Sequence, residues 1–273
     1  MRVHPTGLVA LGMVILGIYL FASAPPPLPS ETEGSASAQI PIDRVLETIA
    51  AENDAVRMLY TREIVGQGKT AGLAFDEFWR KEEILAGPLP ALFLREAAGS
   101  VQRTDVPLGL FLGSDYPISS ANRFQGRQAT VFEKVKETRE AVIFFDDASQ
   151  VHTAMFPDLA SAQPCVSCHN EHAESPKTDW VLNDVMGATT WTYPRGSVTM
   201  EEYLEIVATV RAGFRYAYSE YLVEAAAFTD PPEIGERWPS DGYFLPSADV
   251  FMEEFAGRAS APSIERILSS REL

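Results

Sequence analysis

The chain is poor in cysteine, histidine and basic residues. Its 273 residues include two cysteines and four histidines, and 22 Lys and Arg stand against 38 Asp and Glu, for a formal net charge of -16. Two cysteines are too few for the disulfide framework of a small secreted protein. A net charge of this sign repels a polyphosphate backbone. The composition therefore argues against nucleic acid as a partner.

What remains is the composition of a folded protein. Hydrophobic residues make up 46% of the chain and charged residues 22%, close to the averages of globular domains. A length of 273 residues corresponds to one large domain or two small ones. The sequence has no internal repeat, no Ser/His/Asp order and no phosphate-binding glycine loop. These absences argue against hydrolysis and phosphoryl transfer.

Residues 1–24 predict a transmembrane anchor. The run GLVALGMVILGIYLFASA at 7–24 carries no charge, and as a helix it spans roughly 27 Å, enough to cross a bilayer core. Arg2 lies before the run and an acidic segment lies after it, which favours an amino terminus in the cytoplasm and a body on the other side. Residues 22–24 (Ala-Ser-Ala) also resemble a signal-peptidase site, so a cleaved secretory signal is the alternative, although Pro25 disfavours cleavage there.

Three segments follow the anchor. Residues 25–39 are rich in Pro, Ser and Ala and predict a flexible tether. Residues 40–198 predict the folded domain, and residues 199–273 predict a long helix and a covering segment. Thr199 and Glu202 form a capping box at the start of that helix, which we interpret as a packing helix, with a homodimer contact as one role. In the last 40 residues we expect two short helical patches.

Local patterns predict alternating helices and strands within the folded domain. Apolar residues at helical spacing over 42–66 predict an amphipathic helix stopped by Gly66 and Gly68. Shorter helices are expected after Pro90 and over 130–139. Strands are predicted at 108–112, 141–145 and 188–193, with a further strand after the turn at 146–147. This mixture of antiparallel strands and helices predicts an α+β fold.

Residues 165–169 form the pattern C-x-x-C-H, with Cys165, Cys168 and His169 at its fixed positions. In this pattern two thiols bind the vinyl groups of a haem and the histidine reaches its iron. The spacing is demanding because both thioether bonds attach to neighbouring edges of one macrocycle. The motif therefore predicts one covalently bound haem c.

Two other uses of the cysteines stay open. A redox-active dithiol needs only the cysteine pair, but such a pair normally opens a helix after a strand, and the Ala/Ser loop before Pro164 predicts no strand there. A zinc site would combine both cysteines with His152, His169 or His172. Against zinc, the adjacent Cys168 and His169 cannot readily face one tetrahedral ion.

Around the motif the sequence resembles a known family. The run CVSCHNEHAESPKTDWVLNDVMGATTWTYP at 165–194 is similar to the haem-binding core of the PAS-like c-type haem domains of bacteria. Those domains occur alone and as the extracytoplasmic sensor parts of adenylate cyclases and histidine kinases. The segments GPLPALFLRE at 87–96 and SDYPISSANRF at 114–124 fit the same pattern. The resemblance covers most of residues 42–195.

The resemblance implies a PAS-like antiparallel sheet with flanking helices, one haem c, and a sensory or redox role. It implies that Cys165 and Cys168 are the thioether anchors and that His169 is the proximal iron ligand. It also implies a body in the periplasm, anchored to the inner membrane or secreted there after signal cleavage. Because the chain lacks the output module of the cyclases and kinases, we expect a separate signalling or redox partner protein.

The distal ligand of the iron has two candidates. Met58 lies about 160° from the centre of the apolar stripe of its helix, so the main core does not explain it. In some proteins that this chain resembles, the amino-terminal helix supplies the distal ligand, sometimes a cysteine, and no cysteine is present there. His152 is expected on a strand or its exit shortly before the motif. Met58 is the first candidate and His152 the second, with an open or water-bound site as the alternative.

Three functions are compatible with these features. The first is a sensor of redox state or of a diatomic gas that signals to a separate protein. The second is an electron-transfer cytochrome whose acidic surface steers a basic soluble partner. The third is an enzyme, such as a peroxidase, which needs an open iron position and a distal acid or base, and His152 is the upstream histidine of the folded domain. We rank them in this order.

Overall fold

The computed structural model describes residues 39–161 and 163–269. Its α-helices are α1 (Ile42–Leu59), α2 (Gln67–Ala71), α3 (Pro90–Val101), α4 (Gly126–Thr138), α5 (Gln163–Glu171), α6 (Met200–Ala226) and α7 (Ala248–Ser269). A π-helical segment, Tyr60–Gly66, joins α1 to α2. The strands are β1 (Ile40–Pro41), β2 (Phe75–Asp76), β3 (Gly87–Pro88), β4 (Gly109–Gly113), β5 (Val142–Asp146), β6 (Val151–Leu159), β7 (Val185–Tyr193), β8 (Ser197–Val198), β9 (Glu233–Gly235) and β10 (Phe244–Pro246).

The first helix continues without a break from α1 through the π-helical segment into α2. The prediction that Gly66 and Gly68 stop it is wrong, because the left-handed residue that follows the helix is Gly72, with φ of 101°. Gly68 is buried, and a Cβ at this position would lie 3.1 Å from the side chains of Leu73 and Phe75. A glycine costs a helix only about 1 kcal/mol, so packing of the whole helix outweighs local propensity.

A four-stranded antiparallel sheet forms the centre of the domain, with the strand order β4-β7-β6-β5. The three predicted strands correspond to β4, β5 and β7, and the further strand after the turn is β6, so these predictions are confirmed. Parallel pairs β2–β3 and β9–β10 lie outside this sheet. β1 pairs antiparallel with β8, which ties the start of α1 to the start of α6. The predicted mixture of helices and antiparallel strands is thus confirmed.

The sheet separates two hydrophobic cores. Alternate residues of β6 point to opposite faces. Ala154 joins the larger core with Trp191 and the apolar residues of α1, whereas Met155 packs in a smaller core with Phe132 and Val135 of α4. The sheet is therefore buried on both faces, by α1 on one side and by α4 on the other.

The capping box predicted for the long helix is present. The Glu202 backbone N–H donates to the Thr199 hydroxyl, and the Thr199 N–H donates to the Glu202 carboxylate at 2.8 Å. The helix, α6, packs along α3. At Gly213 the two helices approach so closely that a Cβ would lie 3.0 Å from the Ala97 carbonyl oxygen. The prediction of a packing helix is confirmed within the domain.

The prediction of two short helical patches at the carboxyl end is wrong. Most of that stretch is α7, which packs against α1. Phe251 stacks on Tyr218 with ring centroids 4.0 Å apart, and Phe255 meets Phe214 edge to face. The glycines and prolines of this stretch lower its helix propensity, and burial of these aromatic side chains outweighs that cost.

The predicted anchor at 1–24 lies outside the described residues, as does all but the last residue of the predicted tether. Within residues 39–161 and 163–269, no helix has the length and apolar character needed to cross a membrane.

Candidate functional site

The predicted attachment residues share one side of a short helix. Cys165, Cys168 and His169 lie on α5, which connects β6 to the loop before β7. At about 100° per residue the three side chains fall within about 100° of one another around the helix axis. Two thiols and one imidazole therefore point to the same side, as a single bound group would require.

The imidazole of His169 is half-buried, and one of its ring nitrogens lacks a partner. Its Nδ1 atom has no hydrogen-bond partner among the described residues. Burial lowers the pKa of His169, and the neighbouring His172 adds to this effect. The ring is therefore held in its neutral form, which is the form that binds a metal. A buried ring nitrogen without a partner is costly, so the site fits a group that bonds to this ring.

The two cysteines are free thiols in unequal surroundings. Cys165 is half-buried, whereas Cys168 is exposed at the surface of α5. Neighbouring groups still remove enough water from the Cys168 sulfur to raise the pKa of this thiol, with Lys69 and Glu77 close enough to act on it in opposite directions. Both sulfurs are therefore accessible to a reagent that approaches from outside the domain.

The amide of Asn170 fixes the loop that follows α5. Its Nδ2 donates to the Trp180 carbonyl at 2.9 Å, and its Oδ1 accepts from the Trp180 backbone N–H at 2.9 Å. The Trp180 ring packs with Val166, the first residue between the two cysteines, and with Ala160 and Met186. Sequence reasoning missed Asn170, because a single polar residue after the motif carries no specific signal.

The first helix forms the neighbouring wall of the site. Arg57 donates to the carboxylate of Asp158 near the end of β6, and that carboxylate also accepts from the Thr189 hydroxyl at 3.0 Å. Asp158 raises the pKa of the Arg57 guanidinium, and Cys165 is close enough to contribute. Further along, Glu77 lies 3.4 Å from the Nε2 atom of His172. The motif is thus placed beside the stretch from Arg57 to Glu77.

The structure treats the two candidate distal ligands differently. Met58 directly follows Arg57 on the wall beside the motif, and its side chain is 52% exposed. His152 lies near the opposite end of β6, about 20 Å along the strand from Asp158. Its ring meets Phe145 at a centroid distance of 5.0 Å. His152 thus lies away from the motif along β6, and the identity of the distal ligand stays a prediction.

Exposed apolar side chains lie close to the motif. Phe78, next to Glu77, is 50% exposed, and Val181 and Leu182, directly after Trp180, are also exposed. Large apolar side chains in such positions are typical of a surface that covers another apolar group. These side chains are therefore open to contact with another molecule.

The structure bears on both alternative uses of the cysteines. The expectation that no strand precedes the motif is wrong, because β6 ends at Leu159, a few residues before α5 begins. The strand-to-helix order therefore leaves a redox dithiol open. For zinc, no three His, Cys, Asp or Glu side chains of residues 39–161 and 163–269 converge as a ligand set.

Comparison with protein families gives a match. The model of the Tll0287-like family matches residues 35–194, a range that contains the motif, α5 and the whole central sheet. α6 and α7 follow the matched range. No curated protein and no solved structure is significantly similar to the chain.

Proposed function

The chain belongs to the Tll0287-like family, a family of c-type haem sensor domains, and from this premise we propose that it carries one covalent haem and senses redox state or a diatomic gas. The observation that carries the proposal is the common direction of Cys165, Cys168 and His169 on α5, together with the unpartnered Nδ1 of His169. When bound, the haem would supply a redox-active iron that can take up a further ligand.

Each residue of the motif has a distinct role in this proposal. The thiols of Cys165 and Cys168 would hold the haem covalently, and the neutral imidazole of His169 would bind its iron. The Asn170 amide would keep α5 in place by its two bonds to Trp180. Arg57, held by Asp158 beside Cys165, is the cation that supports binding of a haem propionate.

We extend the proposal to the distal ligand. Met58 is supported by its position directly after Arg57, which lies close to Cys165, and by a 52% exposed thioether side chain. Met200, at the start of α6, has the same 52% exposure far from this wall in sequence and provides a matched control.

The sensory role also rests on the sheet and on the location of the chain. We propose that the sheet, buried between α1 and α4, acts as a PAS-like scaffold that passes a change at the haem to a partner protein. The run at 7–24 would anchor the chain in the inner membrane, with the folded body in the periplasm. A change of iron ligation transmits a signal only if the two conformations differ in ligand affinity.

An electron-transfer cytochrome is the second candidate. The net charge of -16 favours it, because a surface of one sign steers a partner of the opposite sign. A carrier needs no exchange of the distal ligand, whereas a gas sensor does. The response of the iron to carbon monoxide therefore separates the two functions.

The experiment is a visible spectrum of the reduced protein before and after carbon monoxide. The chain would be expressed with the c-haem maturation system and denatured to test for covalent attachment. We expect a covalent haem band that Cys165→Ala and Cys168→Ala weaken. Absence of any covalent haem would overturn the proposal and favour a redox-active dithiol instead. A Soret band that shifts with carbon monoxide supports gas sensing, and an unmoved band supports redox sensing or electron transfer.

The distal ligand is tested with the same measurement. We expect Met58→Ala to change the reduced spectrum and to make the iron more reactive to carbon monoxide. Met200→Ala should leave the spectrum of the parent protein unchanged. Equal spectra for Met58→Ala and the parent would remove Met58 as ligand while leaving the covalent haem intact, and His152→Ala would then be the next variant.

A further inference from the structure

A cavity of about 310 Å³ lies between α4 and the loop that follows the motif. Its walls include Phe132 and Arg139 from α4 and its end, Trp180 from the loop, and Met186 from β7. The volume is at the lower end of the range for ligand pockets in proteins, so it suits a molecule of few non-hydrogen atoms. The cavity lies on the α4 side of Trp180, a residue shared with the motif.

The cavity is lined by charged side chains of both signs. Lys136, Arg139 and Lys177 line it, against the carboxylates of Asp115 and Asp184. Glu133 and Asp179, which pair with Lys136 and Lys177, complete the local charges, so the cavity has no surplus of positive charge. Attraction of a small anion therefore requires a cation without a carboxylate partner.

Arg139 is the cation best placed to bind an anion. Lys136 forms ion pairs with Asp115 and Glu133, and Lys177 forms one with Asp179. Arg139 instead donates one N–H to the backbone carbonyl of Asn183, and no carboxylate of the described residues lies within 4.0 Å of its guanidinium. Its remaining N–H groups suit the two oxygens of a carboxylate.

The backbone at Arg139 is unusual for this residue type. Arg139 caps the carboxyl end of α4 in the left-handed conformation, with φ of 60°. Glycine is the usual residue at such a position because a Cβ is unfavourable there. Arg139 therefore retains backbone strain that a glycine would avoid, and it places a long cationic side chain at the cavity.

The aromatic wall of the cavity contains a buried polar group without a partner. Trp180 is 6% exposed, and its indole Nε1 has no hydrogen-bond acceptor among the described residues. A buried indole N–H normally finds an acceptor. Phe132 and Met186 complete an apolar lining beside this donor.

We propose that this cavity binds a small planar organic carboxylate, with the carboxylate on Arg139 and the apolar body against Trp180. The guanidinium supplies the charge that selects an anion. The apolar walls select a flat hydrophobic body over an inorganic anion. The proposal does not depend on the chemistry of the iron, because none of Cys165, Cys168 and His169 lines this cavity.

The first test is direct binding to the full-length protein by isothermal titration calorimetry. Benzoate is the probe, benzamide is its neutral counterpart of the same shape, and inorganic phosphate is the anion without an apolar body. We expect benzoate to bind saturably and at least about tenfold more tightly than benzamide or phosphate. Equal affinities for benzoate and benzamide, or no heat at millimolar benzoate, would overturn the proposal.

Arg139→Gly removes the charge and also relieves the left-handed backbone, so loss of binding cannot be attributed to loss of the fold. We expect this variant to be at least as stable as the parent in thermal unfolding and to lose benzoate affinity by about tenfold or more. Arg127→Gln is the matched control, because Arg127 lies at the start of α4 in an exposed ion pair with Asp147. Unchanged benzoate affinity in Arg139→Gly, or an equal loss in Arg127→Gln, would contradict the assignment.

Discussion

The Asn170 side chain shows how one residue organises the site. Its amide donates to and accepts from the backbone of Trp180, ten residues later. The two bonds connect the end of α5 to the loop whose aromatic ring packs against the residue between the cysteines. No helix or strand spans this connection, so the Asn170 side chain supplies two of the hydrogen bonds that hold it.

We expect Asn170→Ala to lower the free energy of unfolding by about 1–3 kcal/mol, because two backbone groups of Trp180 lose their partners. Asn170→Asp keeps the acceptor and should have an intermediate effect. Thermal unfolding measures both, at about 2–4 °C for each kcal/mol in a domain of this size. Gln163→Ala is the control, since this exposed residue of α5 makes one long hydrogen bond of 3.5 Å to Ser167. A control effect as large as that of Asn170→Ala would contradict the interpretation.

At the scale of elements, a glycine at a helix end can be compared with a glycine inside a helix. Gly72 adopts φ of 101° after α2, where a Cβ is unfavourable. Gly257 lies in α7, where a Cβ would meet no atom within 4 Å. The same substitution therefore has opposite consequences at the two positions.

Gly72→Ala should destabilise the protein by about 1 kcal/mol, because alanine must adopt the left-handed conformation. Gly257→Ala should stabilise it by up to about 1 kcal/mol through helix propensity. Chemical denaturation of both variants gives the two values under the same conditions. Two changes of the same sign would show that the position of the helix end is not fixed by Gly72.

The capping box predicts a specific pH dependence. The Thr199 N–H, and then Arg195, lower the pKa of Glu202 below its usual 4.5. A lowered pKa in the folded state means that the stabilising contribution is complete above the unfolded pKa and disappears as the pH falls through the folded value. Glu202→Gln should therefore be less stable than the parent at pH 7, with the difference shrinking below about pH 4.

Melting temperatures between pH 3 and pH 8 test this expectation. Glu205→Gln, in the following turn and exposed, is the matched control and should track the parent across the range. A constant difference between Glu202→Gln and the parent at all pH values would mean that the carboxylate charge is not involved.

The sequence predicts these elements to different degrees. The strands β4 to β7 and the capping box follow from patterns of a few residues, so the local sequence predicts them. The local sequence does not predict the end of the first helix, because that end depends on contacts that Gly68 makes with Leu73 and Phe75. The sequence does not predict α7 for a related reason. The free energy gained by burying Phe251 and Phe255 depends on α1 and α6, which are distant in sequence.

The candidate site divides in the same way. The covalent motif is contiguous, so the sequence alone identifies Cys165, Cys168 and His169. Asn170 and the pair formed by Arg57 and Asp158 act through contacts between distant segments. Neither the type of a single residue nor the spacing of nearby residues predicts such contacts.

For the whole molecule, the excess of negative charge should be the dominant electrostatic term. Most ion pairs of the described residues are at least partly exposed and contribute little individually. A net charge of -16 opposes the folded state by repulsion between like charges. Salt screens that repulsion over a distance of about 10 Å at 0.1 M.

We therefore expect the melting temperature to rise as sodium chloride increases from about 0.01 M to about 0.5 M. Chloride is preferred to sulfate, because sulfate also stabilises proteins by exclusion from their surface. A melting temperature that falls over this range would mean that local ion pairs outweigh the repulsion.

The pairing of β1 with β8 has a mechanical consequence. Ile40 faces Val198, Pro41 faces Ser197, and the Ile42 N–H donates to the Gly196 carbonyl at 2.9 Å. A force applied to the chain at Gln39 therefore acts on the hydrogen bonds between β1 and β8 before it acts on α1. The same force reaches the first turn of α6, whose capping box begins one residue after β8. The domain is thus built so that tension at its amino-terminal end is shared between two helices.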